Sequence, residues 1–357
     1  MDRSLYVSIL YILTHVGLIL FLYPANIIMS TTQGHWIPIM IGVTIHFILL
    51  YLLLKGISRF PDKDIITIYK DKGKVLTFIF LAPTFIYFLM ANIISVRAYS
   101  EIVSIVFLSK TPLWAIMALI MTVACYLALK GIEGIIRTGY LIFLLLFPIL
   151  CFIMISSFQN VDWRYIYPLF PHDFSFLTKA SYLKSYFAIG GSFLFLGFIH
   201  PLVPFKGRKI MWTGIVLIPI FLLSVYVPVL TFGQATTSHF IFPFVMTVDA
   251  IHLTWIMFDR LTVFFLLSVV IFTLLYISLV LWMLERIIRM CLWPSAKSSL
   301  LIIGLSIFIY LVCLWIDNWE GVEMLFKWNT IIRFIVILGV PTSIYFLGVN
   351  ERKGENV

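Results

Sequence analysis

The chain has 357 residues, of which 62% are apolar and 11% charged, and its formal net charge is +9. A typical soluble domain carries about 25% charged residues, so this composition excludes a water-soluble fold and describes a polytopic, all-α membrane protein. In such a protein a basic excess reports which loops stay in the cytoplasm, and nucleic-acid binding is set aside.

A bilayer core needs about 20 apolar residues per helical span. Apolar runs between polar interruptions predict ten spans, at 5–29, 36–57, 75–96, 112–131 and 138–158, then at 180–205, 209–232, 257–284, 298–316 and 326–348. The chain reads as one integral membrane domain, 1–357, with no room for a soluble one. The first run is too long for a signal-peptide core and has no small-residue cleavage site after it, so the first helix is expected to be retained. Cys125, Cys151, Cys291 and Cys313 stand singly, with no metal or disulfide spacing, and read as packing residues.

With the amino terminus placed in the cytoplasm, most of the 25 basic residues sort to the inner loops. The largest inner group is "KGISRFPDKDIITIYKDKGK" between spans 2 and 3, read as a topology determinant that also suits a partner subunit or acidic lipid. Lys110, Arg164, Lys179, Lys184, Arg260, Lys327 and Arg333 fall to the outer side. The bias predicts both termini inside and an even number of spans. Trp36, Trp114 and Trp255 sit near expected outer ends, as an interfacial belt would.

Ten spans divide into two halves of opposite orientation, about 5–158 and 180–348, the parity an inverted repeat requires. The first helix of each half is flawed at about the same depth: span 1 at Thr14, His15 and Gly17, span 6 at Gly190 and Gly191. Single glycines commonly serve close helix packing. Matched flaws in both halves instead point to discontinuous helices around a mid-membrane binding site. A broken helix offers free amides to a carboxylate and free carbonyls to an ammonium group, so a zwitterionic amino acid satisfies both. The expected ligand-binding residues are Thr14, His15, Gly17, Phe187, Gly190, Gly191 and Ser192. His15 is the histidine best placed for a ligand-facing or proton-sensitive role, beside the ordinary reading of a neutral ring bonded to a backbone carbonyl.

Between spans 7 and 8, "GQATTSHFIFPFVMTVDAIHLTW" is expected to hold a short helix over the outer mouth. Arg97 and Glu101 can pair at i, i+4 near the outer end of span 3, and Asp259 with Arg260 opens span 8. Both pairs read as a gate or as interface contacts. No hydrolase elbow, zinc helix, P-loop or catalytic carboxylate pair is present, so no enzyme activity, catalytic residue, cofactor or metal is expected.

The stretch from 92 to 148, with "FLSKTPLW" at 107–114 and "YLALKGIEGIIR" at 126–137, resembles the spore germination permeases, the B subunits of germinant receptors. "QGHWI" at 33–37, "YPLFP" at 167–171 and "FDRLTVFFLLSV" leading span 8 are similar to that family too, as is span 1 with Gly17 and Pro24. The resemblance implies the amino acid, polyamine and organocation transporter superfamily and a LeuT-like fold of two inverted five-helix repeats, with helices 1 and 6 interrupted. It further implies A and C partner subunits, the spore inner membrane, and the sensing of a small nutrient, usually an amino acid, that triggers germination. A proton-coupled amino acid permease and a water or ion channel subunit are the competing expectations.

Overall fold

A computed structural model describes residues 3–171, 173–190, 192–251 and 261–354, with side chains to 351. Gly191, Trp255, Asp259 and Arg260 lie outside the described residues. The architecture is helical throughout the described residues, because a backbone in hydrocarbon has to satisfy its own hydrogen bonds.

In chain order the helices are α1 (Ser4–Ile19), α2 (Tyr23–Ser30), α3 (Trp36–Ile57), α4 (Ile65–Lys72), α5 (Lys74–Val106), α6 (Leu113–Leu129) and α7 (Gly131–Ser156). A loop with three short 3-10 turns leads to α8 (Ala180–Gly190) and α9 (Phe195–Ile199). Then follow α10 (Gly207–Ile215), α11 (Leu217–Thr237), α12 (Pro243–Asp249), α13 (Leu261–Cys291), α14 (Ser298–Leu314) and α15 (Trp319–Gly354). Among the described residues seven helical segments are long and apolar enough to cross a membrane, eight if the bent pair of α1 and α2 is one span. The apolar helices α6 and α14 have 17 residues each, at the lower limit of about 17 for a crossing helix.

Burial separates the centre from the rim. In the apolar 18-residue stretch of α8 and α9, 88% of the residues are buried, against 28% in that of α7 with its continuation. Helix α1 is enclosed from Val7 to Ile19. Leu141, Leu144 and Leu145 of α7 are exposed, which places apolar side chains where lipid tails would meet them. The two segments with suspected flaws therefore form the middle of the bundle.

Both segments are interrupted, one of them away from the expected position. Helix α1 runs unbroken through Thr14, His15 and Gly17, and the interruption falls at Leu20, Phe21 and Leu22, with a bend of 54°. The cause is Pro24, in the first turn of α2. Proline has no amide hydrogen to donate to the Leu20 carbonyl, and its ring collides with that carbonyl in a continuous helix. In the second half α8 ends at Gly190 and α9 begins at Phe195, where the glycine pair predicts it.

Gly17 is a packing residue. A β-carbon there would lie 2.9 Å from Thr273 Oγ1, 3.1 Å from Thr273 N and 3.2 Å from the Phe272 carbonyl carbon, so α1 and α13 touch through backbone. Tyr99 of α5 donates its hydroxyl to the Gly17 carbonyl and ties a third helix to the same point.

The sequence stretches at 33–37 and 167–171 meet in the fold. Trp36 Nε1 donates to the Leu169 carbonyl at 2.8 Å. Gly34, at φ +60°, lies beneath Pro171, whose backbone nitrogen a β-carbon would approach to 2.7 Å. These contacts seat the long loop on the end of α3.

The charged loop after α3 folds into α4, an amphipathic helix. Asp64 caps it, accepting from Thr67 N at 2.8 Å and Thr67 Oγ1 at 2.6 Å, and it receives Arg286 of α13. Ile65 sits so close to Gly197 that a β-carbon there would overlap it at 2.0 Å. Helix α4 is a wedge under α9, held by α13 and, through the Tyr69 hydroxyl bonded to Ser343 at 2.6 Å, by α15.

Candidate functional site

The two interrupted segments meet directly. Thr14 Oγ1 of α1 lies 2.5 Å from Ser192 Oγ in the gap between α8 and α9, and both residues are buried. Thr14 also donates to the Leu10 carbonyl one turn back at 2.8 Å, so its oxygen can accept from Ser192. The break leaves the Ile189 carbonyl without its helical partner, and His46 of α3 takes it, with Nδ1 at 2.7 Å. That bond fits the neutral ring protonated on Nδ1, whose Nε2 then accepts from the Tyr11 hydroxyl.

His15 Nδ1 lies 2.8 Å from the Tyr11 carbonyl, the ordinary helical partner for a buried histidine. Its Nε2 has no partner among the described residues, although the ring is fully buried. The ring stands edge-on to His46 with centroids 5.2 Å apart. Residues Tyr11, Thr14, His15, His46 and Ser192 thus form one buried polar cluster.

Phe187 and Gly190 face the other way, toward α15. A β-carbon on Gly190 would lie 3.0 and 3.1 Å from Ile337 side-chain atoms. Phe187 packs on Phe326 with centroids 5.0 Å apart. Between these elements lies Arg333, 0% exposed and the largest fully buried side chain in the described protein. Its guanidinium is 5.0 Å from the Phe187 ring and 5.3 Å from the Phe326 ring. Nε and Nη2 donate to Asn329 Oδ1 at 3.2 and 2.5 Å, and Nη1 donates to the Lys184 carbonyl at 3.2 Å. Arg333, counted in the sequence among the basic residues of the outer side, is buried inside α15. The apolar periodicity of that helix does not show which of its faces is buried.

A vestibule of about 360 Å³ borders this seam through Phe326. Leu22 from the first break, Asn26, Phe240, Trp319, Glu323 and Phe326 line it. Its volume lies at the lower end of the range of about 300–1,000 Å³ for small-molecule pockets. The segment expected to hold a short helix forms α12, which does not line the vestibule, and Phe242 just before it stacks on Phe21 at the first break with centroids 4.7 Å apart. At the edge of the vestibule Glu323 pairs with Lys184 of α8.

Arg97 and Glu101 are a fastening between helices. Arg97 is 2% exposed and bonds Glu101 at 2.5 Å, while Nε and Nη2 reach the carbonyls of Ile316 and Asp317 at 3.1 and 3.4 Å. The pair joins α5 to the turn before α15 and does not line the vestibule. No group of three or more potential metal ligands occurs among the described residues.

His46, Tyr11 and Arg333 escape selection from sequence. A histidine at mid-depth of an apolar helix is the signal for the first, and an arginine inside an apolar run is the signal for the last. Tyr11 has no comparable signal, since its role depends on where His46 lies.

A protein-family model described as spore germination protein matches residues 4–320 of the chain. No curated protein matches it.

Proposed function

We propose a function from this premise: the chain belongs to the spore germination protein family, and it acts as the membrane subunit that senses a small nutrient germinant. The protein is an integral membrane protein, and the proposal places it in the spore inner membrane with both termini on the core side. Amino acids are the favoured nutrient class. Partner A and C subunits read its state, and the subunit itself catalyses no reaction.

The observation that carries the reading is the buried contact between Thr14 and Ser192 where the two interrupted segments cross. Interrupted helices at mid-membrane are the hallmark of substrate sites in secondary transporters. Ten spans in two inverted repeats of five accommodate all the long helices, with α1 and α2 as span 1, α8 and α9 as span 6, and α6 and α14 as spans 4 and 9. The central burial of spans 1 and 6 supports this LeuT-like arrangement.

Sensing requires that the nutrient bind one conformation better than another. With the proposed orientation, α4 under α9 would close the cytoplasmic side, and the vestibule would open to the outer side. Nutrient arriving from outside would meet the first break at Leu22 and the second below it. A shift of α4, α12 or the α8–α15 seam is what partner subunits would read.

Uptake of labelled amino acid into proteoliposomes holding this chain alone is the test. The sensing reading expects binding without sustained, saturable accumulation. Robust saturable uptake without partners would make it a permease, and ion currents on nutrient addition would make it a channel subunit.

A further inference from the structure

Arg333 carries a charge that has no counter-ion among the described residues. Among the described residues no Asp or Glu touches it. Glu323, earlier on the same helix, is already taken by Lys184. A cation in a membrane interior costs several kcal/mol unless it is paired, and such residues mark ligand or ion paths.

A purely structural role explains the arrangement poorly. Two of the three hydrogen bonds of Arg333 go to Asn329 of its own helix, so only the bond to the Lys184 carbonyl crosses to another element. A guanidinium has five N–H donors, so donors remain for a further acceptor. The faces of Phe187 and Phe326 stabilise the cation without neutralising it. Two fully buried tyrosines, Tyr87 and Tyr276, lie within electrostatic reach of the guanidinium and of each other. Asn329 is anchored in turn, donating to the Tyr87 carbonyl at 3.1 Å. The site has a cation, spare donors and fixed supports, and among the described residues it lacks an anion.

The way in is also visible. Phe326 lines the vestibule and is one of the two rings against Arg333. Phe326 is therefore the side chain that the vestibule and the guanidinium share.

We propose that Arg333 binds the carboxylate of a small carboxylate-bearing nutrient, such as an amino acid, admitted from the outer vestibule past Phe326. The nutrient's remaining groups then lie toward the break at Gly190 and Ser192. This inference rests on the nutrient-sensing reading above and adds to it the anchoring residue and the required chemical group.

The test uses the whole chain purified in detergent and measures binding by thermal stabilisation. The probes are the common L-amino acids, their carboxamides and amino alcohols, and a set of sugars and nucleosides. The expected result is that at least one amino acid binds the native protein, with its carboxamide weaker by about 10- to 100-fold, as loss of a charged hydrogen-bonded contact implies. Arg333→Met is expected to erase the preference for acid over amide, and Arg333→Lys to restore part of it. Equal binding of acid and amide by the native protein would overturn the proposal and leave nutrient sensing intact, as would binding of sugars or nucleosides alone. Binding of no probe at all would overturn both. The native comparison stands even if Arg333→Met does not fold, and an acid preference that persists in a folded Arg333→Met would also defeat the assignment.

Discussion

Gly17→Leu is expected to abolish accumulation of folded protein in the membrane. The β-carbon alone would sit 3.1 Å from Thr273 N and 3.2 Å from the Phe272 carbonyl carbon, and backbone cannot rotate aside as a side chain can. Overpacking of a well-packed core costs about 1–3 kcal/mol or more. Here the intruding side chain separates α1 from α13 at the centre of the bundle. The same displacement strains the bond from the Tyr99 hydroxyl to the Gly17 carbonyl. Gly304 of α14 is the matched control, because a β-carbon there meets nothing within 4 Å. Membrane-fraction immunoblotting and the thermal midpoint in detergent check the pair: Gly304→Ala should match the native protein, and Gly17→Leu should be lost.

Asp64→Ala is expected to destabilise the protein by about 3–5 kcal/mol, the usual cost of stripping one partner from a buried ion pair. Asp64 is 3% exposed, and its other oxygen caps α4 through Thr67. The substitution therefore removes the cap and also leaves Arg286 without its anion. Arg286 would keep its approach to the Trp282 ring, at 5.3 Å, and its contact with Met290 Sδ at 3.4 Å. Neither replaces a carboxylate. Asp64→Asn preserves a capping oxygen and should fall between the two, and adding Arg286→Met to Asp64→Ala should recover part of the loss. Equal stability of Asp64→Ala and the native protein would mean that the wedge of α4 is held by packing alone.

The helical fold was largely legible because span length and polarity follow from bilayer thickness. The long hydrophobic runs all became helices, and Gly190 marked the end of α8 as expected. Span 1 shows the limit. Gly17 attracts attention as a poor helix former, yet its neighbours Phe272 and Thr273 lie far along the chain, and only the fold shows that they need its missing side chain. Pro24 has a local effect that sequence does show, and it is the residue that breaks the segment.

The site was half legible. Thr14, His15 and Ser192 come together, while Phe187 and Gly190 belong to the adjoining seam with α15. Position in an apolar run does not reveal whether an arginine snorkels to the surface or turns inward, so Arg333 could be placed only by its neighbours. The charged loop after α3 likewise read as a topology signal, and the order imposed by the Asp64 cap appears only in the fold.

The nutrient is proposed to be held where the second interrupted segment meets α1 and α15. Germination of spores carrying Gly190→Leu as the sole form of this subunit tests it most directly. The new side chain fills the seam against Ile337, whose side-chain atoms a β-carbon would approach to 3.0 Å. The predicted result is normal subunit level in the spore membrane with the nutrient response lost, and partial recovery when Ile337→Ala is added. A normal nutrient response from spores with Gly190→Leu would contradict the claim.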